Sequence, residues 1–159
     1  MPMSTIAVTV DGVPYRGPEH MQYKAMMLTG VPNFLFCMGY TNASWTLKST
    51  LTARFLCRLV NRMFEPGREA ALALVRRDPG VAVDPDWLAL SSGYVQRAEG
   101  TTPLQGDRAP FKLKQNYLYD SVQLGWGALE DGHLRFEGVV ANAAAPGAAA
   151  AAGAPQARL

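Results

Sequence analysis

A short polar turn at residues 39–44, with the sequence GYTNAS, holds the residue types best suited to bind a ligand. It follows an apolar run and precedes a long helical pattern. The first N–H groups of a helix have no partner within the helix and carry partial positive charge, so such a turn can hold an anion. The same pattern is typical of a simple capped helix start, with Thr41, Asn42 or Ser44 as the cap. The residues themselves leave both interpretations open.

Other signatures of catalysis or metal binding are missing from the sequence. It contains neither a nucleophile-elbow pattern nor a glycine-rich phosphate loop. His20 and His133 are far apart and are expected in loops or at the surface, so we predict no catalytic residue and no metal site. Cys37 and Cys57 both lie in apolar runs, which predicts buried, reduced thiols rather than a disulfide.

Composition describes one ordinary globular unit. The chain has 159 residues, of which 48% are hydrophobic and 18% charged, and its formal net charge of +2 gives no reason to expect a nucleic-acid partner. The N-terminus lacks the basic start and apolar core of a signal peptide. The longest predicted helix carries four basic side chains, so no membrane span is expected. These features predict a cytoplasmic protein.

The elements around the turn follow from short-range patterns. Residues 4–15 alternate β-branched side chains on either side of Asp-Gly, which predicts a β-hairpin. The apolar run at residues 34–38 predicts a strand buried on both faces, as in a parallel sheet. Apolar residues recurring every fourth position over residues 44–64 predict a long helix, and its row of arginines predicts a solvated face.

The second half of the chain has weaker signals. Helices are predicted at residues 68–77 and 111–124, one or two helical turns within residues 88–98, and a final strand at residues 133–140. The Ala/Gly/Pro-rich tail is predicted to be disordered. We therefore divide the chain into residues 1–66 (hairpin, buried strand and long helix), residues 67–140 (helical extension with a final strand) and residues 141–159 (tail), with an α/β fold class.

Three ordered blocks of this sequence resemble the C-terminal part of bacterial flavin-containing monooxygenases. The similar subgroup is the Baeyer–Villiger type related to the ethionamide-activating enzyme. The first block is YKAMMLTGVPNF at residues 23–34 with GYTNASWTLK at residues 39–48, continuing through the long helix. The second is SSGYVQR at residues 91–97, and the third is QGDRAPF at residues 105–111 with QNY at residues 115–117. The resemblance covers about residues 6–137.

The resemblance implies an incomplete fold. Family members are two-dinucleotide-domain FAD/NAD(P)-binding flavoproteins, and this chain resembles the C-terminal segment of the FAD-binding domain with a mostly helical extension. The family's two glycine-rich loops, for FAD and NADPH, and its His/Trp-Pro fingerprint do not occur here. We therefore expect a truncated reading frame or a gene remnant, with neither cofactor bound by this chain alone.

The chemistry implied by the resemblance takes place at a flavin. In the family NADPH reduces FAD, and one oxygen atom of O2 is inserted into a ketone or into the sulfur of a sulfide or thioamide. Residues Gly39, Tyr40, Thr41, Asn42 and Ser44 would lie against the isoalloxazine ring, where donors at a helix start stabilise the charge of reduced flavin. Two alternatives stay open: a non-catalytic interaction module, and one half of a split flavoenzyme. Exposed apolar surface would favour self-association.

Overall fold

The computed structural model of the protein describes residues 7–85 and 102–138. Within these ranges the fold is a small mixed α/β arrangement with two α-helices and three two-stranded antiparallel ladders. In chain order the elements are β1 (Thr9–Val10), β2 (Val13–Pro14), a 3-10 turn (Gly17–Glu19), β3 (Gln22–Tyr23), β4 (Met27–Leu28), α1 (Trp45–Met63), β5 (Leu72–Val75), α2 (Tyr117–Gly125) and β6 (Leu134–Glu137).

Two hairpins occupy the N-terminal third. The predicted hairpin is confirmed, since β1 pairs with β2 across Asp11 and Gly12, both at positive φ. The second hairpin joins β3 to β4 through Lys24 and Ala25, whose φ angles are +51° and +55°. Positive φ at both central positions is the geometry of a tight primed turn, which non-glycine residues seldom adopt. The turn therefore defines the backbone position from which the Lys24 side chain projects.

The prediction of a buried strand at residues 34–38 is wrong. The segment belongs to no ladder, and its side chains are only half-buried. Among the described residues its backbone makes one hydrogen bond to another backbone group, from the Phe36 N–H to the Met26 carbonyl at 2.8 Å. An apolar run of five predicts burial but cannot supply the neighbouring strands that a parallel sheet requires.

The long helix is confirmed as α1, which begins after Ser44 and ends at Met63. Leu51, Phe55 and Leu59 form its buried stripe, as their spacing predicts. The arginine row is not simply a solvated face, because the half-buried Arg58 guanidinium donates to carbonyl oxygens beyond the helix.

The prediction of a helix at residues 68–77 is wrong, because this segment contains strand β5. Strand β5 pairs with β6, with Leu72 opposite Glu137. The alanine- and leucine-rich sequence favours helix locally, and pairing with a distant strand overrides that preference. The helix predicted at residues 111–124 is confirmed only in its second half, as α2. The final strand is confirmed as β6.

One core joins these elements. Met26 and Met27 are fully buried and pack with the buried stripe of α1 and with β5 and β6, as flexible side chains that fill gaps in a core do. The predicted burial of both thiols is wrong: Cys37 is half-buried and Cys57 is exposed, because Cys57 lies away from the buried stripe of α1. The predictions for residues 88–98 and for the tail lie outside the described residues.

Candidate functional site

The turn at residues 39–44 is shaped by a close approach between Gly39 and the Trp45 ring. A Cβ atom at Gly39 would lie 2.7 Å from Trp45 Cε2 and nearer still to two other atoms of the indole ring. The Gly39 backbone has no positive φ, so close packing and not conformational freedom requires the glycine. The indole ring itself stays 52% exposed at the start of α1.

A side chain from the third sequence block closes the same turn. The Gln115 amide oxygen accepts from the Thr41 N–H at 3.0 Å, and the Gln115 carbonyl accepts from the Asn42 side-chain amide, also at 3.0 Å. Gln115 has a φ of +51°, so its backbone is held in an uncommon conformation while it makes both contacts. Thr41 and Asn42 are therefore positioned by the segment before α2.

The start of α1 leaves donors available. Ser44 stands at the N-cap position, but its side chain makes no capping hydrogen bond, and its Oγ lies 2.8 Å from Thr46 Oγ1. Within the described residues, no acceptor pairs with the backbone N–H of Trp45 or Thr46. These two donors carry the partial positive charge of the helix start and are free to contact a ligand.

The remaining predicted site residue, Tyr40, has a buried side chain that lies apart from the exposed part of the turn. Its side chain is 1% exposed, and its hydroxyl donates to Asp120 Oδ2 at 2.7 Å. The Lys48 ammonium donates to the same oxygen at 2.8 Å, and Lys48 is also 1% exposed. Burial and the hydrogen bond to Asp120 raise the pKa of Tyr40, so the phenol remains a donor. Tyr40 therefore anchors the turn to α2 from beneath.

A second cluster of the same composition lies on the β3–β4 turn. The Tyr23 hydroxyl donates to Asp131 Oδ2 at 2.7 Å, and the Lys24 ammonium lies 3.1 Å from that oxygen. Burial lowers the pKa of Lys24, against the attraction of Asp131. Burial alone would raise the pKa of Asp131, but the Tyr23 hydroxyl and the Lys24 ammonium outweigh it, so this pKa lies below its usual range.

Both clusters open onto one cleft of about 230 Å³, lined by Lys24, Lys48, Asp120 and Asp131 together with loop residues such as His133. Our sequence reasoning missed these charged residues. One signal was available: Lys48 shares the face of α1 that buries Leu51 and Phe55, so a charge on that stripe requires a partner. The identity of that partner depends on a contact across 72 residues.

Within the described ranges, no group of three or more His, Cys, Asp or Glu side chains could hold a metal ion. No helix in the same ranges is long and apolar enough to cross a membrane. The turn at residues 39–44 and the cleft lined by Lys24 and Lys48 both offer hydrogen-bond donors and charge to a ligand.

Comparison with known proteins finds similarity to bacterial FAD-containing monooxygenases. The chain is 41% identical over 128 residues to the FAD-containing monooxygenase EthA of Mycobacterium tuberculosis, covering 80% of this chain and 26% of that protein. It is 41% identical over 119 residues to EthA of Mycolicibacterium smegmatis, covering 74% and 24%. It is 39% identical over 129 residues to a protein of an Acinetobacter species named "Probable FAD-binding monooxygenase AlmA", covering 80% and 26%.

The chain thus matches a fragment of a bacterial FAD-containing monooxygenase. Within that class it is similar to the EthA type, which confirms the resemblance carried by the three sequence blocks. The chain spans about a quarter of the length of the curated relatives it matches. Neither a protein-family model nor a solved structure matches it.

Proposed function

We propose that this chain supplies the flavin-facing turn of an FAD- and NADPH-dependent monooxygenase and does not turn over alone. The observation that carries the proposal is the pair of N–H groups at Trp45 and Thr46, which have no acceptor in the described part of the chain and lie in the first sequence block that resembles the family. When bound, FAD would supply the reducing equivalents of NADPH to O2, so that one oxygen atom enters a ketone or a sulfur-type heteroatom.

The donor set at the turn fits a flavin. Reduced flavin carries negative charge over N1 and the C2 carbonyl, and a helix start offers N–H donors with partial positive charge. Gly39 allows the Trp45 ring to lie against the turn, while Thr41 and Asn42 are held by the segment before α2. The role of these residues is to bind and orient the cofactor and to favour its reduced charge, without transferring protons.

The remaining parts of such a site would come from polypeptide that resembles the other three quarters of the relatives. We place the fold in the two-dinucleotide-domain class, with both dinucleotide loops outside this chain. We also place the protein in the cytoplasm, where NADPH is available and free thiols stay reduced. Small-molecule ketones, sulfides or thioamides are the proposed substrates.

A second candidate function is one half of a split flavoenzyme or a non-catalytic interaction module. The exposed α2 stripe favours it: Leu118 and Val122 on α2 are 75% and 57% exposed, and Trp126, directly after the helix, is 77% exposed, whereas Leu124 is buried. Three large, exposed apolar side chains on and directly after one helix mark a surface that another polypeptide, or a second copy, would cover.

Mixing experiments test the proposal. The purified chain is combined with FAD alone, and separately with a polypeptide comprising the part of EthA that this chain does not match. We expect no bound flavin with the chain alone, and bound FAD with NADPH oxidation in the combination. Stoichiometric flavin on the isolated chain, or a combination that never binds FAD, would contradict the proposal.

A pair of substitutions tests whether the turn faces the flavin. Ser44→Asp places a negative charge at the start of α1, and Thr50→Asp places the same charge more than one turn further along. A charge near a helix start is worth about 0.3–1 kcal/mol. For a two-electron couple that corresponds to roughly 5–20 mV. We expect a more negative flavin potential with Ser44→Asp in the combined protein and no change with Thr50→Asp; equal shifts would refute the placement.

A further inference from the structure

Two buried ammonium groups face the same cleft, and the flavin-binding proposal above assigns no ligand to that cleft. The side chains of Lys48 and Lys24 are 1% and 10% exposed, yet both line the cleft of about 230 Å³ between the β3–β4 turn and α2. Burying an ammonium group is costly unless its donors are used. The cleft must therefore accommodate whatever completes their hydrogen bonding.

Each ammonium group has donors to spare. Lys48 donates to Asp120 Oδ2 at 2.8 Å, and Lys24 lies 3.1 Å from Asp131 Oδ2. An ammonium group carries three donors, and the part of the chain that the structure describes offers neither nitrogen a further oxygen acceptor within hydrogen-bonding distance. Lys24 Nζ also lies 4.7 Å from the centroid of the Tyr23 ring, and Lys48 Nζ lies 5.6 Å from that of Tyr40, so the remaining donors face these rings or the cleft.

The side chains around the cleft also carry more positive than negative charges. Against the carboxylates of Asp120 and Asp131 stand Lys24, Lys48 and the nearby Arg58, whose charge helps, after burial, to lower the pKa of Lys24. The Arg58 guanidinium donates to two carbonyl oxygens, at 2.7 and 2.6 Å, and forms no ion pair with a carboxylate of the described residues. Because Lys112 also lines the cleft, the lining carries three ammonium groups against two carboxylates, and a small anion would meet a net positive lining.

From these observations we propose that the cleft binds a small oxyanion, of the phosphate or carboxylate type, between Lys24 and Lys48. The anion oxygens accept the spare ammonium protons. At about 230 Å³ the cleft is smaller than the roughly 300–1,000 Å³ of pockets for drug-sized ligands, so a dinucleotide does not fit within it. The partly exposed Lys112, which also lines the cleft, would meet the anion at its rim.

Calorimetric titration of the full chain tests the proposal. Inorganic phosphate and malonate are titrated separately, with sodium chloride holding the ionic strength constant. We expect saturable binding of at least one anion, and the one that binds more tightly identifies the type. Saturation by neither, at concentrations up to tens of millimolar, overturns the proposal.

Matched lysine substitutions locate the anion. Lys24→Met removes a cleft donor, and Lys114→Met removes an equal charge from an exposed lysine that does not line the cleft. We expect at least a tenfold loss of affinity for Lys24→Met and less than a twofold change for Lys114→Met. Similar losses in both variants would show a non-specific charge effect and overturn the site.

A measurement on the unsubstituted chain tests the same site without any change in folding that a substitution would cause. Phosphate is added to isotope-labelled protein, and amide resonances are followed by two-dimensional NMR. We expect the resonances of Lys24 and His133, both at the cleft, to shift with the calorimetric affinity while that of Lys114 stays fixed. Shifts confined to exposed lysines, or uniform over the chain, contradict the proposal.

Discussion

The Asp120 carboxylate ties the predicted flavin-facing turn to α2, and Asp120→Asn measures how strongly. Its Oδ2 accepts from the Tyr40 hydroxyl and from the Lys48 ammonium. The amide oxygen of asparagine can still accept from Tyr40, so the main change is the loss of the charge opposite Lys48. That ammonium is 1% exposed, so water solvates it poorly once its partner charge is removed.

The magnitude follows from the burial of the pair. Removing one partner of a buried ion pair leaves an uncompensated charge and costs about 3–5 kcal/mol. Removing both charges together avoids that penalty, so the double variant Lys48→Met/Asp120→Asn should lose much less stability than the two single losses added. We expect a coupling free energy of about 2 kcal/mol or more between the two positions.

Urea unfolding monitored by tryptophan fluorescence gives the free energies of unfolding for the four proteins of this cycle. The Arg76–Glu137 pair is the control: its N–O distance of 2.6 Å is shorter than that of Lys48–Asp120, but its side chains are 57% and 35% exposed. Glu137→Gln should therefore cost only about 0–1 kcal/mol. If Glu137→Gln costs as much as Asp120→Asn, or if the cycle is additive, burial is not what gives the Asp120 contact its strength.

Three further outcomes are expected. The pKa of Asp131 lies below its usual range, so its carboxylate stabilises the fold above about pH 4, the pKa of an unfolded aspartate. This stabilisation is lost as the pH falls through the pKa of the folded state, so the free energy of unfolding of Asp131→Asn should fall less steeply with acid. An unchanged dependence on pH would contradict this. Gly39→Ala should lower the free energy of unfolding by about 1 kcal/mol, because the added methyl group meets the Trp45 ring. This is the low end of the range for overpacking, since the half-exposed ring can move outward. No change in urea unfolding would show that the close contact with the ring does not require glycine. Trp126→Ser should change stability by less than about 0.5 kcal/mol, since its side chain is 77% exposed, but should reduce self-association in sedimentation velocity; unchanged association would remove the α2 stripe as a contact surface.

The elements that sequence predicted well are those fixed by neighbours along the chain. The buried stripe of α1 repeats within each turn of the helix, and the β1–β2 hairpin depends on an Asp-Gly pair at its centre. In both cases the decisive contacts join residues only a few positions apart. Periodicity and turn chemistry carry that information directly.

The failures concern pairing over long distances. Residues 72–75 have helix-favouring composition, yet they form β5 because β6, more than 60 positions later, offers a complete ladder. Residues 34–38 have the composition of a buried strand, yet they join no ladder, and one backbone hydrogen bond connects them to Met26. Local preference is worth only tenths of a kcal/mol per residue, so such contacts decide the outcome.

The candidate site combines both situations. Sequence located the turn at residues 39–44 correctly before α1, but its closure by Gln115, over 70 positions away, has no local signature. The first and third blocks of the family resemblance meet here, since Gln115 fixes Thr41 and Asn42. The turn is therefore shaped by contacts within this chain, while the Trp45 and Thr46 donors have no acceptor in the ranges that the structure describes. On the proposal that this preformed turn faces a flavin, added polypeptide that carries the dinucleotide loops should raise cofactor affinity without changing the shape of the turn.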